Sequence, residues 1–556
     1  MLQRIWKYRM HYLLVIPPLL LWFIFKGIPH FMTLYGSFVN FVIFKGLFSS
    51  DWVGLDNYRN LFNLPSFTSV LSNTLTLKLL YTAVSGIFAL GAALALSGIG
   101  FRWLRGGLTT LFLIPYFIPS AVIVYVTMLT LSQSQSPFGI KAMPLAHSEL
   151  FPVVLVGVEA FKTCGIPILI ALTAIGARQA AMDNGSIRVR SSYLHRNVIP
   201  ALKAVTAFML MQLGSLLTMD SELQRLLVNP LVFETGDTLD SFGFRTVFMN
   251  AEYNLAGPLA VFQFIVQFTC SLLAYFLIRG LFARELFTST GGAAAIQSTG
   301  KGKNSTGILI GIVLSSAVLI LLYLLFLYPF TFQLSGSALH TLLSPHRYVV
   351  YMIMDLGAVT IFMMITAALA FPLTVKDLPG RGLYKLLLLA LLTLSSSTFH
   401  EYLFYRDLHM SNTIFPLFMT GFYSILPIFI LKSIFNSKYG SRREEAAAAG
   451  RGETYIFFYV YLPSIWKPLL ALGALHFVML WSTFTQAFIH LTNPQTFPPL
   501  MTFANAMNEI GEAGPVYTPA DLLLSGALIS LPTLLILLLM RRWLTGEVMV
   551  STMKNL

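Results

Sequence analysis

The stretch Arg443–Pro468, REEAAAAGRGETYIFFYVYLPSIWKP, is polar and rich in small residues. Glu444, Glu445 and the alanines that follow predict the start of a helix, with carboxylates at its positive end. Gly450 and Gly452 are expected to end that helix. Because long apolar segments lie on both sides, the stretch is predicted to be a loop between two membrane spans.

The composition indicates a polytopic membrane protein. The chain has 556 residues, of which 56% are hydrophobic and 11% charged, and a mean hydropathy of +0.73. These values exclude an ordinary soluble domain and favour an all-α fold of transmembrane helices. The net charge of +13 does not indicate nucleic-acid binding, because the basic residues lie in short loops. The two cysteines lie in apolar stretches, so neither a disulfide framework nor a metal site is expected.

About twelve spans of roughly 20 residues each are predicted from the apolar segments. The first six are centred on Tyr12–Phe38, Leu77–Leu96, Leu108–Thr130, Phe151–Ile175, Leu202–Leu217 and Pro258–Ile278. The second six are centred on Gly307–Tyr328, Val349–Leu373, Leu383–Leu394, Ile414–Ile434, Trp466–Phe488 and Leu522–Leu539. The N-terminal basic residues precede an apolar run without a small-residue cleavage site, which predicts a retained first span.

Basic residues in alternate loops predict the orientation, because cytoplasmic loops carry the excess of Lys and Arg. Both termini are therefore expected in the cytoplasm. The predicted cytoplasmic segments are Arg102 with Arg105, Arg178–Arg196, Arg279–Lys303, Lys376–Lys385, Lys438–Arg451 and Arg541 with Arg542.

A Gly/Ser/Thr/Lys-rich segment, residues 287–306, predicts a cytoplasmic linker between a first half (1–286) and a second half (307–556). It contains STGKGK, which partly matches a phosphate-binding loop. However, Ala295 stands where the motif needs its first glycine, and Gly302 stands where it needs Ser or Thr. We therefore expect no bound cofactor in this chain and assign any ATP hydrolysis to a partner.

The polar loop of the second half resembles the cytoplasmic coupling loop of binding-protein-dependent ABC importer permeases. The residues that carry the resemblance are Glu444, Glu445, Ala446, Gly450, Leu462 and Pro463. A degenerate copy stands at the corresponding place in the first half, where Gln179 replaces the glutamate: Gln179, Ala180, Ala181, Gly185 and Pro200. This internal repeat suggests two pseudo-symmetric six-helix halves around a central path.

Other segments resemble the carbohydrate-uptake (maltose-type) permeases. WVGLDNY (52–58) and NPLV (229–232) are similar to the subgroup that imports oligosaccharides released from polysaccharides. In the second half, TFP (496–498) and the tail from LTG (544–546) are similar to its partner permease. The resemblance implies two permeases fused in one chain of a bacterial cytoplasmic membrane. It also implies two ATPase subunits that use ATP-Mg, an external solute-binding protein and an oligosaccharide substrate.

Glu159 and Lys162, in the fourth predicted span, are candidates to line a substrate path, because charges inside a span are costly. Their i, i+3 spacing predicts that they share a helix face and neutralise each other. A buried structural pair is the alternative interpretation.

Four further candidates for the path are polar or aromatic residues suited to sugar hydroxyls and pyranose faces. They are Gln212, Trp481, Phe484 and Gln486. Aromatic side chains in spans also serve plain packing. No arrangement of catalytic residues and no zinc-site spacing emerges, so neither an enzyme nor a metal site is expected.

Three alternatives stay open. A fused ABC permease for ferric iron or thiamine would share the two coupling loops. A secondary transporter driven by protons or sodium would need functional intramembrane carboxylates and no ATPase. A membrane-embedded glycan-modifying enzyme would need a cluster of acids or histidines at one membrane face.

Overall fold

The computed structural model describes residues 8–132, 137–138, 143–183, 192–282, 305–331, 336–375, 377–393, 397–507, 509–511 and 514–544. Within these ranges the chain is almost entirely helical, which confirms the all-α membrane fold. Its strands are two antiparallel pairs of two residues each: β1 (Val39–Asn40) with β2 (Asp51–Trp52), and β3 (Ile510–Gly511) with β4 (Gly514–Pro515). Val39 faces Trp52, and Ile510 faces Pro515.

The first half contains thirteen α-helices among the residues described. They are α1 Arg9–Trp22, α2 Ile28–Gly36, α3 Asp56–Asn63, α4 Pro65–Ser97, α5 Arg102–Phe117, α6 Ser120–Leu131, α7 Phe151–Thr163, α8 Gly165–Asp183, α9 Ile199–Met211, α10 Ser221–Leu227, α11 Phe233–Gly236, α12 Leu239–Phe244 and α13 Ala256–Phe282.

The second half contributes a further thirteen in the described ranges. They are α14 Ser305–Phe326, α15 Gly336–Leu342, α16 Pro345–Ala370, α17 Arg381–Thr393, α18 Thr398–Asp407, α19 Phe415–Thr420, α20 Leu426–Lys438, α21 Gly440–Ala448, α22 Glu453–Tyr455, α23 Leu462–Trp481, α24 Thr485–His490, α25 Pro499–Ala506 and α26 Pro519–Trp543.

Eight helical segments in the described part of the chain are long and apolar enough to cross a membrane, or up to ten if two bent pairs each count as one. The predicted count of twelve is therefore not confirmed. The eight are Arg9–Gly36, Pro65–Ser97, Leu194–Ser215, Tyr253–Ile278, Gly307–Phe326, Leu339–Thr374, Glu453–Trp481 and Pro519–Trp543.

The third and fourth predicted spans are not straight. Residues 103–117 and 120–131 meet at 96°, and the break contains Pro119, which cannot continue the hydrogen bonds of α5. Residues 151–163 and 165–179 meet at 50°. Gly165 opens the second of these helices, and a Cβ there would lie 2.3 Å from the carbonyl oxygen of Phe112. Only glycine allows α8 to approach α5 so closely.

Three predicted spans of the second half differ from the structure. Leu383–Leu394 corresponds to α17, which has 13 residues and is too short to cross by itself. Ile414–Ile434 is divided into α19 and α20. Trp466–Phe488 ends at Trp481, before a turn and the short α24. Hydropathy records the apolar runs but not these breaks.

Both coupling loops lead into the same local structure. A turn of π-helix, Leu194–Val198 or Ile456–Tyr461, immediately precedes Ile199-Pro200 and Leu462-Pro463. Proline lacks the N–H for the regular bond, and its ring clashes with the carbonyl four residues earlier, so the preceding turn widens. The shared irregularity supports a structural correspondence of the two loops.

The first helix of each half packs on the other half. Leu14, Leu19 and Trp22 of α1 pack against a cluster that is formed mostly by the second half. Conversely, Ile308 and Leu314 of α14 pack against a cluster of the first half. The two halves are therefore interlocked through their first helices.

Candidate functional site

The predicted coupling helix of the second half, α21, lies on the surface, and none of its residues is buried. It begins at Gly440, so Glu444 and Glu445 lie in its middle, and the prediction that they occupy its positive end was wrong. Gly450 has a φ of +72°. Its N–H bonds the carbonyl of Ala447, and the N–H of Arg451 bonds that of Ala446, at 3.1 Å each. This is the Schellman arrangement, which favours glycine at the left-handed residue.

A series of polar side-chain contacts connects α21 to the first helix of the protein. Arg443 pairs with Glu453 at 3.2 Å, and Glu453 contacts Nε2 of His11 at 3.2 Å. His11 belongs to α1, is fully buried and stacks on Phe371 with ring centroids 4.6 Å apart. The second coupling loop is thus joined to the first helix of the chain.

The first coupling loop differs at the residue that replaces glutamate. Gln179 is buried at the end of α8, and its Nε2 donates to Oδ1 of Asn197 at 2.6 Å. Gly185 lies outside the described residues, whereas Pro200 lies in the first turn of α9. Ala180 and Ala181 belong to α8. The hydrogen bond between the Gln179 and Asn197 side chains therefore joins the two ends of the first loop.

Two adjoining cavities lie where the halves meet. The larger, of about 620 Å³, is lined by the segment 221–250 together with Phe484, Phe488 and Asn505. The second, of about 400 Å³, is lined by part of that segment, by α13 and by residues 397–399. Ser221, Arg225, Asp240 and Phe244 line both cavities.

Arg225 is the central polar group of this junction. Its guanidinium lies 4.1 Å from the ring centroid of Phe244 and 5.5 Å from that of Phe488. These two rings come from opposite halves, with centroids 5.7 Å apart. One nitrogen, Nη1, is buried and has no hydrogen-bond partner among the residues that the structure describes. A buried donor of this kind favours a ligand that brings an acceptor oxygen.

Carboxylates flank Arg225 without pairing with it in the described structure. Asp240 instead accepts a bond from Gln263 at 3.2 Å, and Oε1 of Glu222 accepts bonds from the backbone N–H and the hydroxyl of Thr485. Burial raises the pKa of Asp240 to about 6. Asp240 therefore takes up a proton in mildly acidic conditions, in which an ordinary aspartate stays ionised.

Lys162 does not neutralise Glu159, which corrects the prediction from their spacing. Its ammonium pairs with Oδ2 of Asp220 at 2.5 Å and also bonds Ser120. Glu159 is buried, and within the described part of the chain its Oε2 has no hydrogen-bond partner. Asp220 lies just before α10, far from Lys162 in sequence. The tertiary fold brings the two residues together, so local spacing could not identify Asp220 as the partner of Lys162.

The other predicted path residues divide between separate places. Phe484 lines the larger junction cavity, whereas Trp481 and Gln486 line a third cavity of about 330 Å³. Gln212 lies at the end of α9, and its Oε1 accepts a bond from Ser215 at 3.3 Å. It is not among the residues that line these three cavities. The predicted path is therefore not one continuous cluster.

Sequence reasoning missed Arg225, Asp240 and Asp355. The first two belong to the segment between the fifth and sixth predicted spans, and no local pattern marked them as partly buried. Asp355 did carry a signal, because it is an acidic residue inside a predicted span. No group of three His, Cys, Asp or Glu suited to a metal ion lies in the part of the chain that the structure describes.

Comparison with known sequences identifies the class of protein. The chain is 25% identical, over 47% of its own length and 85% of the relative's, to the polygalacturonan/rhamnogalacturonan transport system permease protein YteP of Bacillus subtilis. The chain is a relative of bacterial transport permeases. The chain is also 25% identical to the protein LplB of the same organism, over 46% of this chain and 84% of LplB. These matches confirm the resemblance inferred from the coupling loops. No family model matches the chain.

Two solved structures are similar to this permease. One is a bacterial ABC transporter involved in the import of the acidic polysaccharide alginate, with a TM-score of 0.45 and 21% identity over 50% of this chain and 98% of that one. The other is the alginate transporter in complex with an alginate pentasaccharide-bound periplasmic protein, with a TM-score of 0.44 and 21% identity over 50% and 97%.

Proposed function

We propose that this chain is the membrane-spanning permease of an ATP-driven importer that moves oligosaccharides into the cytoplasm. The junction cavities carry the proposal, because aromatic rings from both halves surround an unpartnered guanidinium nitrogen. Aromatic faces suit the C–H surfaces of sugars, and polar side chains suit their hydroxyls. The name of the Bacillus subtilis relative, which refers to pectic polysaccharides, supports a saccharide substrate.

Transport follows from relative motion of the two halves. Phe244 and Phe488 face each other across the junction, so any rocking of the halves changes the space beside Arg225. Outward and inward states then alternate around one site, as in other transporters with internal repeats. No covalent chemistry on the sugar is needed, and this chain acts as a permease rather than an enzyme.

Two ATPase subunits supply the energy for this motion and bind the ATP-Mg. The docking surfaces are α21 with its Gly450 turn and, on the first half, the loop from Gln179 to Pro200. The exposure of α21 and its link through Glu453 to His11 support a role in transmitting movement. Because Gln179 is buried and bonded to Asn197, we expect the two docking contacts to be unequal.

In this proposal both termini and the linker 287–306 lie in the cytoplasm of a bacterium, as the basic loops predict. The segment between the spans that end at Ser215 and begin at Tyr253 then lies on the outer side. It lines the junction cavities, so a solute-binding protein docked outside releases its sugar directly above them.

The decisive experiment is purification of the chain in detergent from its native membrane, followed by identification of the proteins that accompany it. We expect an ATPase at two copies per chain, and we expect Glu444→Gln combined with Gly450→Val to remove it. Absence of an ATPase, together with uptake that follows a proton or sodium gradient, would overturn the proposal.

Ion-coupled secondary transport is the second candidate. Its specific support is the presence of two buried carboxylates, Glu159 and Asp355, within predicted spans. It predicts that a protonophore or sodium removal abolishes sugar uptake while ATP remains available.

A further inference from the structure

The third cavity lies almost wholly within the second half. Its walls come from α16, α19, the end of α23 and the residues around Pro498, with Lys26 contributed by the first half. The segment 483–486 separates it from the junction cavities: Phe484 and Thr485 face the junction, whereas Thr483 and Gln486 face the third cavity. The third cavity, called the chamber below, is therefore separate from the junction cavities.

An unpartnered carboxylate faces this chamber. Asp355 is only 7% exposed and lies in the apolar helix α16. Among the residues that the structure describes, it has no hydrogen bond and no ion pair. Oε1 of Gln486, in the same chamber, is also buried without a partner. Two acceptors without hydrogen bonds in one membrane-embedded chamber favour a ligand that brings donors, because a buried polar group without a hydrogen bond costs free energy.

The hydroxyl groups of the chamber also offer acceptors. The hydroxyl of Tyr351 donates to the carbonyl of Thr496, that of Thr420 to Leu417 at 2.8 Å, and that of Thr483 to Met479 at 2.9 Å. With their protons engaged on the backbone, these oxygens have only lone pairs left. The chamber is therefore complementary to a ligand with several donor groups.

Lys26 lines the chamber but adds no net charge to it, because it pairs with Glu401 in the second half. Sugar hydroxyls donate hydrogen bonds to the acceptors of the chamber without adding charge. An anionic sugar is disfavoured by the carboxylate of Asp355.

We propose that this chamber binds one uncharged sugar ring, with Asp355 and Gln486 accepting hydrogen bonds from its hydroxyls. The inference rests on the proposed function, since it adds a second saccharide site to an oligosaccharide permease. Trp481 forms one wall, and its indole N–H is held by the carbonyl of Ile529 at 2.8 Å. A ring bound beside this fixed indole changes its fluorescence.

The test uses the full-length chain in lipid nanodiscs and follows tryptophan fluorescence with five probes: galactotriose, xylotriose, maltotriose, trigalacturonate and ammonium chloride. Trp481→Phe identifies the part of the signal that comes from the chamber. We expect at least one neutral trisaccharide to give a saturable change, and Asp355→Asn to weaken its apparent affinity about tenfold. Asp51→Asn, which alters a carboxylate that is 72% exposed, is the matched control.

Other outcomes separate the two proposals. A Trp481 signal that Asp355→Asn leaves unchanged, a response only to trigalacturonate or to ammonium ions, or no response to any probe would each overturn the second site. The importer proposal would then still stand if the ATPase accompanies the purified chain. Arg225→Gln is expected to leave the Trp481 signal in place, because Arg225 lines only the junction cavities.

Discussion

At the scale of single residues, the turn at Gly450 offers the clearest test of coupling. Gly450→Val places a β-branched residue at a φ of +72°, which costs on the order of 1–2 kcal/mol and frays the end of α21. We expect less ATPase to accompany the purified chain and ATP hydrolysis to lose its dependence on substrate.

Gly452→Val is the matched control for this change. Gly452 has a φ of −66°, is exposed, and has no atom within 4 Å of a Cβ. It therefore accepts a side chain without strain. Equal loss of ATPase in the two variants would contradict a role for the left-handed turn.

Substitution of Arg225 tests whether the junction cavities belong to the substrate path. Arg225→Gln removes the guanidinium that lies over Phe244 and Phe488, and with it both the charge and the stacking on the rings. We expect uptake of labelled oligosaccharide to fall by about tenfold or more while the amount of chain in the membrane is unchanged. Arg59→Gln, at a residue that is 74% exposed, is the control. Full uptake by the Arg225 variant would exclude this site from the path.

At the scale of elements, the ion pair between Lys162 and Asp220 ties α7 to the segment before α10. Lys162→Met leaves a largely buried carboxylate unpaired, so we expect a loss of about 3–5 kcal/mol in stability. Glu159→Gln should cost much less, because Glu159 is not the partner of Lys162. Thermal unfolding in detergent measures both variants, and equal losses would refute the assignment of the pair.

The same pair predicts a dependence on pH. Burial alone would raise the pKa of Asp220, but the attraction of Lys162, together with hydrogen bonds, brings it below the ordinary value. A depressed carboxylate pKa stabilises the fold above the unfolded value of about 3.9, and this stability is lost as the pH falls through the folded pKa. The contribution of the pair in the unchanged chain should therefore be constant from pH 8 to pH 5. In Lys162→Met, burial raises the pKa of Asp220, so the carboxyl can take up a proton as the pH falls. We therefore expect the loss in unfolding temperature to be largest at pH 8 and to shrink toward pH 5.

These elements show what could be predicted from sequence. The long spans that begin at Pro65, Ser305 and Pro519 follow from uninterrupted hydropathy, and the coupling loops follow from charge, glycine and Leu-Pro spacing. The 96° break after α5, the division of the tenth span and the partner of Lys162 depend on contacts between distant segments. The local periodicity of a sequence does not indicate such contacts.

At the scale of the whole molecule, rocking of the halves can be tested across their junction. In the double variant Phe244→Cys and Phe488→Cys, a short bis-methanethiosulfonate reagent should bridge the two thiols, because the two side chains meet across the junction with native ring centroids 5.7 Å apart. We expect this cross-link to stop uptake and a reductant to restore it. Each single variant should keep its uptake, because it offers only one new thiol. Unimpaired uptake by the cross-linked chain would rule out relative motion at this point.

The exchange of first helices between the halves has a consequence for how such a permease is produced. If the halves came from two genes, each half would need the other to cover the apolar surface on which the partner's first helix packs. Any copy made in excess would expose that surface and be open to proteolysis in the membrane. A single chain provides the two in equal number at every round of synthesis. Cutting the gene within the linker should therefore yield fragments that accumulate only when both are expressed together.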